Sequence, residues 1–283
     1  MNGTEKTFLS DEKSLERLCI HTATTKPWPI ERAIEEYSKR GIGGISIWRD
    51  AIEGKNLQQL KTKLSESHLN VVSLVRGGFF PSTTKEGRFQ AQEINKSAIL
   101  EAEAIGAPQL VLVCGADPAL TIQDNIQCIQ EGIEELLVFA KAHHVKLSIE
   151  PLHPMYADTR SAITTLKLAN DICEKVNDVD LGVAIDVFHV WWDPELNEQM
   201  KRTAELKKFF ALHFCDWKTN MSDMLNDRGL MGEGVIHLKD IRKKSEELGF
   251  DGYHEVEIFS NNWWAQDQSD YLDKIIKSYK EHC

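Results

Sequence analysis

Four segments of the chain share one pattern of apolar and polar positions. Gly182-Val-Ala-Ile-Asp186, Lys146-Leu-Ser-Ile-Glu150, Phe209-Phe-Ala-Leu-His213 and Tyr253-His-Glu-Val-Glu257 each end on a carboxylate or an imidazole. A strand has a period of two, so Gly182, Ala184 and Asp186 share one face and Val183, Ile185 and Val187 share the other. In the other three segments the residue two before the end is small or polar: Ser148, Ala211 and Glu255. Leu147 and Ile149, Phe210 and Leu212, and Val256 and Ile258 have the opposite parity. This predicts parallel strands with apolar backs against helices and polar tips converging at one end.

The rest of the chain extends the alternation to eight strand–helix units. Strands are expected at residues 17–22, 44–48, 70–75, 108–114, 146–150, 181–186, 209–213 and 253–258. Helices are expected at 30–40, 56–67, 89–105, 121–143, 159–175, 194–208, 237–248 and 269–280, with Leu57, Leu60 and Leu64 forming one helical stripe. Gly41, Gly106 and Gly249 stand where three of these helices should stop. No Pro-, Gly- or Ser-rich linker divides the chain, so residues 1–283 are expected to form a single domain, with 1–15 a loose polar extension. Eight βα units of this length predict an α/β fold, one closed (β/α)8 TIM barrel rather than an open doubly wound sheet. Such barrels carry their chemistry at the C-terminal ends of the strands, where the polar tips fall.

Composition narrows the function. The chain has 283 residues, 42% hydrophobic and 27% charged, which is ordinary for a globular protein with a large core. A net charge of −11 without a strong basic run argues against nucleic acid and anionic membranes as partners. Cysteines at 19, 114, 128, 173, 215 and 283 form no C-x-x-C pair. The first residues lack a signal-peptide pattern, and no apolar run nears the roughly 18 residues of a membrane span. Reduced thiols in a cytoplasmic protein are therefore expected. A homo-oligomer is compatible with the sequence.

Glu150, Asp186, His213 and Glu257 offer three carboxylates and one imidazole at strand tips. Each alone is more often a helix cap or a solvated residue. Together, buried, they would repel one another, and a divalent cation removes that cost. An oxygen-rich set with one nitrogen suits Mn²⁺ or Mg²⁺ first, with Co²⁺ and Zn²⁺ as alternatives. Glu255 and Glu257 share parity, but Glu257 lies nearer the rim and is the expected ligand. Glu255 would sit a layer deeper.

The segments Ser148-Ile-Glu150-Pro, Asp186-Val-Phe-His189, His213-Phe-Cys-Asp216, Arg228-Gly-Leu-Met-Gly-Glu-Gly234 and Glu255-Val-Glu257-Ile-Phe, in this order, resemble the xylose isomerase-like TIM barrels of the sugar phosphate isomerase/epimerase superfamily. The resemblance spans about residues 15–280. It implies Glu150, Asp186, His213 and Glu257 as ligands of one divalent metal, and His189 and Arg228 as substrate contacts. Ketose 3-epimerases of this superfamily carry a second Glu six residues after the first metal-binding Glu, where this chain has Tyr156. Endonuclease IV, a related barrel, needs further His and acidic ligands, but here the second and third strands end in Trp48 and Arg76.

The expected chemistry is isomerisation or epimerisation of a sugar or sugar derivative, by proton transfer next to a carbonyl through an enediolate. Glu150 and Glu257 would flank the substrate, one removing the proton and the other returning it. His153, Trp48 and Trp192 are further substrate-binding candidates, the tryptophans because aromatic faces pack on sugar C–H groups. Tyr156 and His153 keep a second class open: a metal-dependent lyase or dehydratase acting on a keto-sugar, keto-glycoside or inosose. A non-catalytic sugar-binding barrel is a third reading.

Overall fold

A computed structural model describes residues 15–283. The loose attachment expected for residues 1–15 lies outside the described residues, apart from Leu15, which opens the short 3-10 turn Leu15–Arg17. Among the described residues, eight parallel strands close into a barrel in sequence order, β1 paired with both β2 and β8. They are β1 Leu18–His21, β2 Gly44–Trp48, β3 Asn70–Gly78, β4 Gln109–Val113, β5 Lys146–Ile149, β6 Leu181–Asp186, β7 Phe209–Phe214 and β8 His254–Val256. The helices in chain order are α1 Ile30–Lys39, α2 Leu57–Glu66, α3 Lys85–Ile105, α4 Ile122–Ala142, α5 Leu166–Val176, α6 Val187–Val190, α7 Leu196–Glu205, α8 Leu238–Glu247, α9 Asn261–Trp264 and α10 Gln268–His282. The chain is thus a TIM barrel. No helix of the described residues is long and apolar enough to cross a membrane.

Strand parity divides the buried residues into two populations. Leu147, Ile149, Val183, Ile185, Leu212, Phe214 and Val256 join the large core between barrel and helices. Val75, Val111, Ala184 and Ala211, with Trp48 against them, form a small cluster inside the barrel. Phe210 departs from its expected outward position. The register slips between Val183 and Ala184, so Phe209 stacks on Phe250 outside while the Phe210 ring lies over Gly182. A Cβ on Gly182 would stand 2.4 Å from that ring, so only glycine fits. An open cleft lined by Lys146, Phe209, Phe210 and Phe250 marks this N-terminal end of the barrel, the face that in TIM barrels serves stability.

Among the boundaries that differ from expectation, three have an identifiable local cause. β3 runs on through Gly78, because Asn95 of α3 takes over its backbone groups. Gly78 N–H donates to Asn95 Oδ1 at 2.6 Å, and Asn95 Nδ2 donates to Gly78 O at 2.8 Å. α3 starts a turn early because Thr84 caps it, its hydroxyl accepting from Gly87 N–H. α5 starts at Leu166 instead of 159, capped by Thr165, while Ser161 bridges to Gly115. The short helices α6 and α9 were not expected.

Asn95→Ala should strand the backbone groups of Gly78 in the interior. It should lower unfolding free energy by about 2 kcal/mol or more in urea titrations. A change within about 0.5 kcal/mol would mean that water replaces Asn95 there.

Candidate metal centre

Parallel pairing sets Asp186 beside His213 and His213 beside Glu255, so the tips of β6, β7 and β8 meet in register. Glu150 and Glu257 each stand one residue past a strand end, their N–H groups still donating to Leu112 O and Phe214 O at 3.1 Å. One ligand atom from each of Glu150, Asp186, His213 and Glu257 lies within 4.8 Å of the others, and all four residues are buried. A second cluster within the same limit is His21, His213 and Glu255.

Glu255 sits one layer below. Ser46 Oγ donates to its Oε2 at 2.6 Å, Ser73 Oγ donates to Ser46 at 2.9 Å, and His21 Nε2 lies 3.1 Å from that same oxygen. His213 Nε2 is 3.8 Å from Glu255 and its Nδ1 is 3.0 Å from Glu150 Oε1. His21, not among the candidates from the sequence, bridges Glu255 and Glu257, with Nδ1 2.9 Å from Glu257 Oε1. Its position as the last residue of β1, two after the inward-facing Cys19, is the signal that pointed inward.

Arg228 comes from the loop after β7, which is wrapped around Asp216. The Asp216 carboxylate accepts from the backbone N–H groups of Trp217, Gly232, Gly234 and Ile236 at 2.8–3.0 Å. A Cβ on Gly234 would stand 2.5 Å from Asp216 Oδ1, which explains a glycine there. Asp216 also exchanges backbone hydrogen bonds with Gly229. Arg228 is thereby buried between Phe188 and Phe259. It donates to Asp186 Oδ2 at 2.8 Å and to Glu257 Oε2 at 3.1 Å, and its Nη2 is 3.3 Å from His189 Nε2.

Of the other candidates, Trp48 Nε1 donates to Glu257 Oε1 at 3.1 Å. Trp192 Nε1 donates to the His189 carbonyl at 2.8 Å. His153 caps its own turn, accepting from Met155 N–H, and packs its ring near Trp192 and Trp217. Tyr156 donates its hydroxyl to Met224 O and places its ring 5.8 Å from His189.

The electrostatics follow from burial. Burial, with Glu257 and Asp186 nearby, pushes Glu150 above the usual carboxylate range, against the pull of His213. Burial likewise raises Asp186, opposed by Arg228. For Glu257 burial is outweighed by His21 and Arg228, which hold its carboxyl well below the usual range. For His213 burial would lower the pKa, but Glu255, Glu150 and Glu257 outweigh it and push it up to about 10. Burial and Arg228 push His189 well down, so its imidazole is neutral.

These residues fit a divalent cation. Four buried carboxylates face one guanidinium and two imidazoles, and one negative charge is left over even with both imidazoles protonated. Both ring nitrogens of His213 and Glu150 Oε1 are buried and make no well-aligned hydrogen bond, the 3.0 Å approach of Nδ1 to Glu150 Oε1 being an ion-pair contact. A cation replacing the His213 proton would use those lone pairs and balance the group, with Glu255 orienting the ring from its far side.

The family model for xylose isomerase-like TIM barrels matches residues 34–280. Among solved structures, protein SMc04130 from Sinorhizobium meliloti 1021 is 41% identical, with a TM-score of 0.92 over 95% of this chain and 99% of that one. The IolI protein, solved with a bound zinc atom, is 21% identical, with a TM-score of 0.82 over 93% of this chain and 96% of that one. D-Psicose 3-epimerase from Clostridium cellulolyticum H10, solved with D-tagatose, is 15% identical, with a TM-score of 0.73 over 93% and 96%. The last two show likeness of fold. No curated protein matches the chain.

His213 gives the metal-free protein a pH signature. Its folded pKa lies above the ordinary 6.5, so its stabilising contribution is complete below pH 6.5 and is lost as the pH rises through about 10. The melting temperature of chelator-treated protein should fall across that window. Added Mn²⁺ should raise the melting temperature, by more at the alkaline end, because protons no longer compete for His213. Asp186→Asn should remove most of the Mn²⁺ effect. A manganese shift that is equal in wild type and variant would count against the centre.

Proposed function

Because the chain belongs to the xylose isomerase-like TIM barrel family, we propose that it is a divalent-metal-dependent isomerase or epimerase of a sugar or sugar derivative, acting by proton transfer next to a carbonyl. Glu150, Asp186, His213 and Glu257 hold the cation in this reading. The observation that carries it is the convergence of these four buried ligand types, with His213 Nδ1 and Glu150 Oε1 in contact at 3.0 Å but not aligned as a hydrogen bond. The zinc in the IolI structure and the sugar in the epimerase structure support the same reading. Mn²⁺ and Mg²⁺ suit the oxygen-rich set best, with Co²⁺ and Zn²⁺ as alternatives.

When bound, the cation supplies positive charge that acidifies a C–H next to a carbonyl and stabilises the anion left by deprotonation. The chain's own residues do the rest. Glu150 Oε1 is held only by its ion-pair contact with His213 Nδ1, and burial makes its carboxylate more basic than usual, so it can take and return a proton. Glu257 acts on the opposite face of the substrate. Its Oε1 lies beside His21 Nδ1 and accepts from Trp48, and its Oε2 accepts from Arg228. This fixes its position, and His21 can share the proton it handles. Neutral His189 and Arg228 present hydrogen-bonding groups to substrate oxygens, while His153, Trp48 and Trp192 line the approach. Return of the proton to the same carbon from the other face gives an epimer; return to the neighbouring carbon gives an isomer.

A second reading, elimination from a keto-sugar, keto-glycoside or inosose, is favoured by one observation. Tyr156 stands where the ketose 3-epimerases have a second glutamate, and its hydroxyl is already given to Met224. His153 accepts from Met155 N–H at Nδ1, and burial lowers its pKa, so its neutral ring carries its proton on Nε2 and can donate a hydrogen bond to a leaving group.

The Mn²⁺-loaded protein, screened in D₂O by NMR against ketoses, inososes and 3-keto-glycosides, should place deuterium next to the substrate carbonyl. Glu150→Gln should slow this by about a hundredfold or more with the metal still bound. Glu257→Gln should lose the product and retain some exchange. Turnover abolished by His153→Ala, with loss of a leaving group from the substrate, would select elimination. Wild-type catalysis in both glutamine variants would reject the proton-transfer assignment.

A further inference from the structure

Two arginines at the barrel mouth are left out of the chemistry above. Arg76 lies near the C-terminal end of β3, its guanidinium 4.3 Å from the centre of the Phe79 ring. Arg160 lies between β5 and α5, with its guanidinium 5.8 Å from the centre of the Tyr156 ring. Their segments meet at Gly115. The Gly115 N–H donates to Arg160 O at 2.8 Å, and a Cβ on Gly115 would stand 2.5 Å from Phe79 Cα. Tyr156 in turn puts Arg160 one ring away from His189, and Arg76 stands two strands round the barrel from the strand that carries Glu150. Both guanidiniums thus border the carboxylate cluster on the side of Glu150.

Neither guanidinium makes an ion pair or a hydrogen bond with any described residue, although both residues are half-buried. Arg49, the third arginine there, is different: it grips Glu101 with two bonds of 2.6 and 2.7 Å. Burial lowers the pKa of Arg76, and repulsion from Arg160 and Arg49 lowers it further. The chain has 44 acidic residues against 33 Lys and Arg, so partners for two guanidiniums are not scarce. Holding two like charges together, partly desolvated and unpaired, is costly unless an anion visits them. Planar guanidiniums backed by aromatic rings are suited to bidentate contact with carboxylate or phosphate oxygens.

We propose that Arg76 and Arg160 form a subsite for an anionic group, a carboxylate or a phosphate, at the far end of the substrate. The proposal rests on the reading of the barrel mouth as a sugar-converting site. The substrate class is then an acidic or phosphorylated keto-sugar, with its reacting carbons over Glu150 and its anion between the arginines.

The test has two arms. Calorimetric titration of inorganic phosphate into the chelator-treated full chain should show binding that weakens about tenfold or more in each of Arg76→Gln and Arg160→Gln. Arg76→Lys, which keeps the charge, should retain part of it. No binding in wild type, or equal binding in the variants, overturns the subsite. In the second arm, deuterium uptake by the Mn²⁺-loaded protein is compared for fructose, fructose 6-phosphate and fructuronate. One of the two anionic ketoses should exceed fructose, identifying phosphate or carboxylate, and Arg160→Gln should erase the advantage. Equal uptake from neutral and anionic ketoses overturns the subsite and leaves the isomerase reading standing. Arginine-dependent phosphate binding with no uptake from any ketose or other carbonyl substrate overturns the isomerase reading and leaves the anion subsite.

Discussion

Four carboxylates buried at one end of a barrel are the constraint on which the rest of the mouth depends. Glu150, Asp186, Glu255 and Glu257 are each at most 4% exposed, and so many charges cannot share a dry space without compensation. The protein supplies it in two layers. Below, Ser46, Ser73 and His21 donate toward Glu255 and draw that carboxylate away from the rim. Above, Arg228 spans Asp186 and Glu257, and the aromatic rings of Phe188 and Phe259 hold it there. What remains uncompensated lies around His213 and Glu150, where the proposed cation would sit.

The backbone makes this arrangement reachable from distant parts of the chain. Parallel register aligns the tips of β5 to β8, and closure brings β1 against β8 so that His21 completes the group. The Gly-rich loop is folded by Asp216, a carboxylate with a purely architectural set of partners. Gly234 is needed because the chain passes closer to Asp216 and Trp217 than a Cβ would allow, and Gly232 because its backbone is left-handed, with φ of +93°. A loop that would otherwise be mobile thereby delivers one guanidinium to a fixed place.

Strand parity was readable because it is local. The alternation in β5, β6 and β8 carries over directly, and with it the barrel and the convergence of Glu150, Asp186, His213 and Glu257. Local pattern could not report contacts made by residues far away in sequence. The bulge that turns Phe210 over Gly182, the extension of β3 that Asn95 secures and the caps of α3 and α5 all depend on such contacts. The same holds for function. His21 could not be assigned from the sequence because its two partners lie more than 230 residues away. Arg228 was expected as a substrate contact, and its burial between Asp186 and Glu257 was not legible in the sequence. Tyr156, by contrast, was visible as a departure from a family pattern, and its hydrogen bond to Met224 gives that departure a structural meaning.

The most direct test of the central claim is the anomalous difference map of crystals grown with Mn²⁺, collected near the manganese absorption edge. The account predicts one strong peak per chain, within bonding distance of Glu150, Asp186, His213 Nδ1 and Glu257. A peak held instead by His21, His213 and Glu255 would move the centre to the deeper cluster. No peak at either place, in protein that converts its substrate after chelation, would contradict the account.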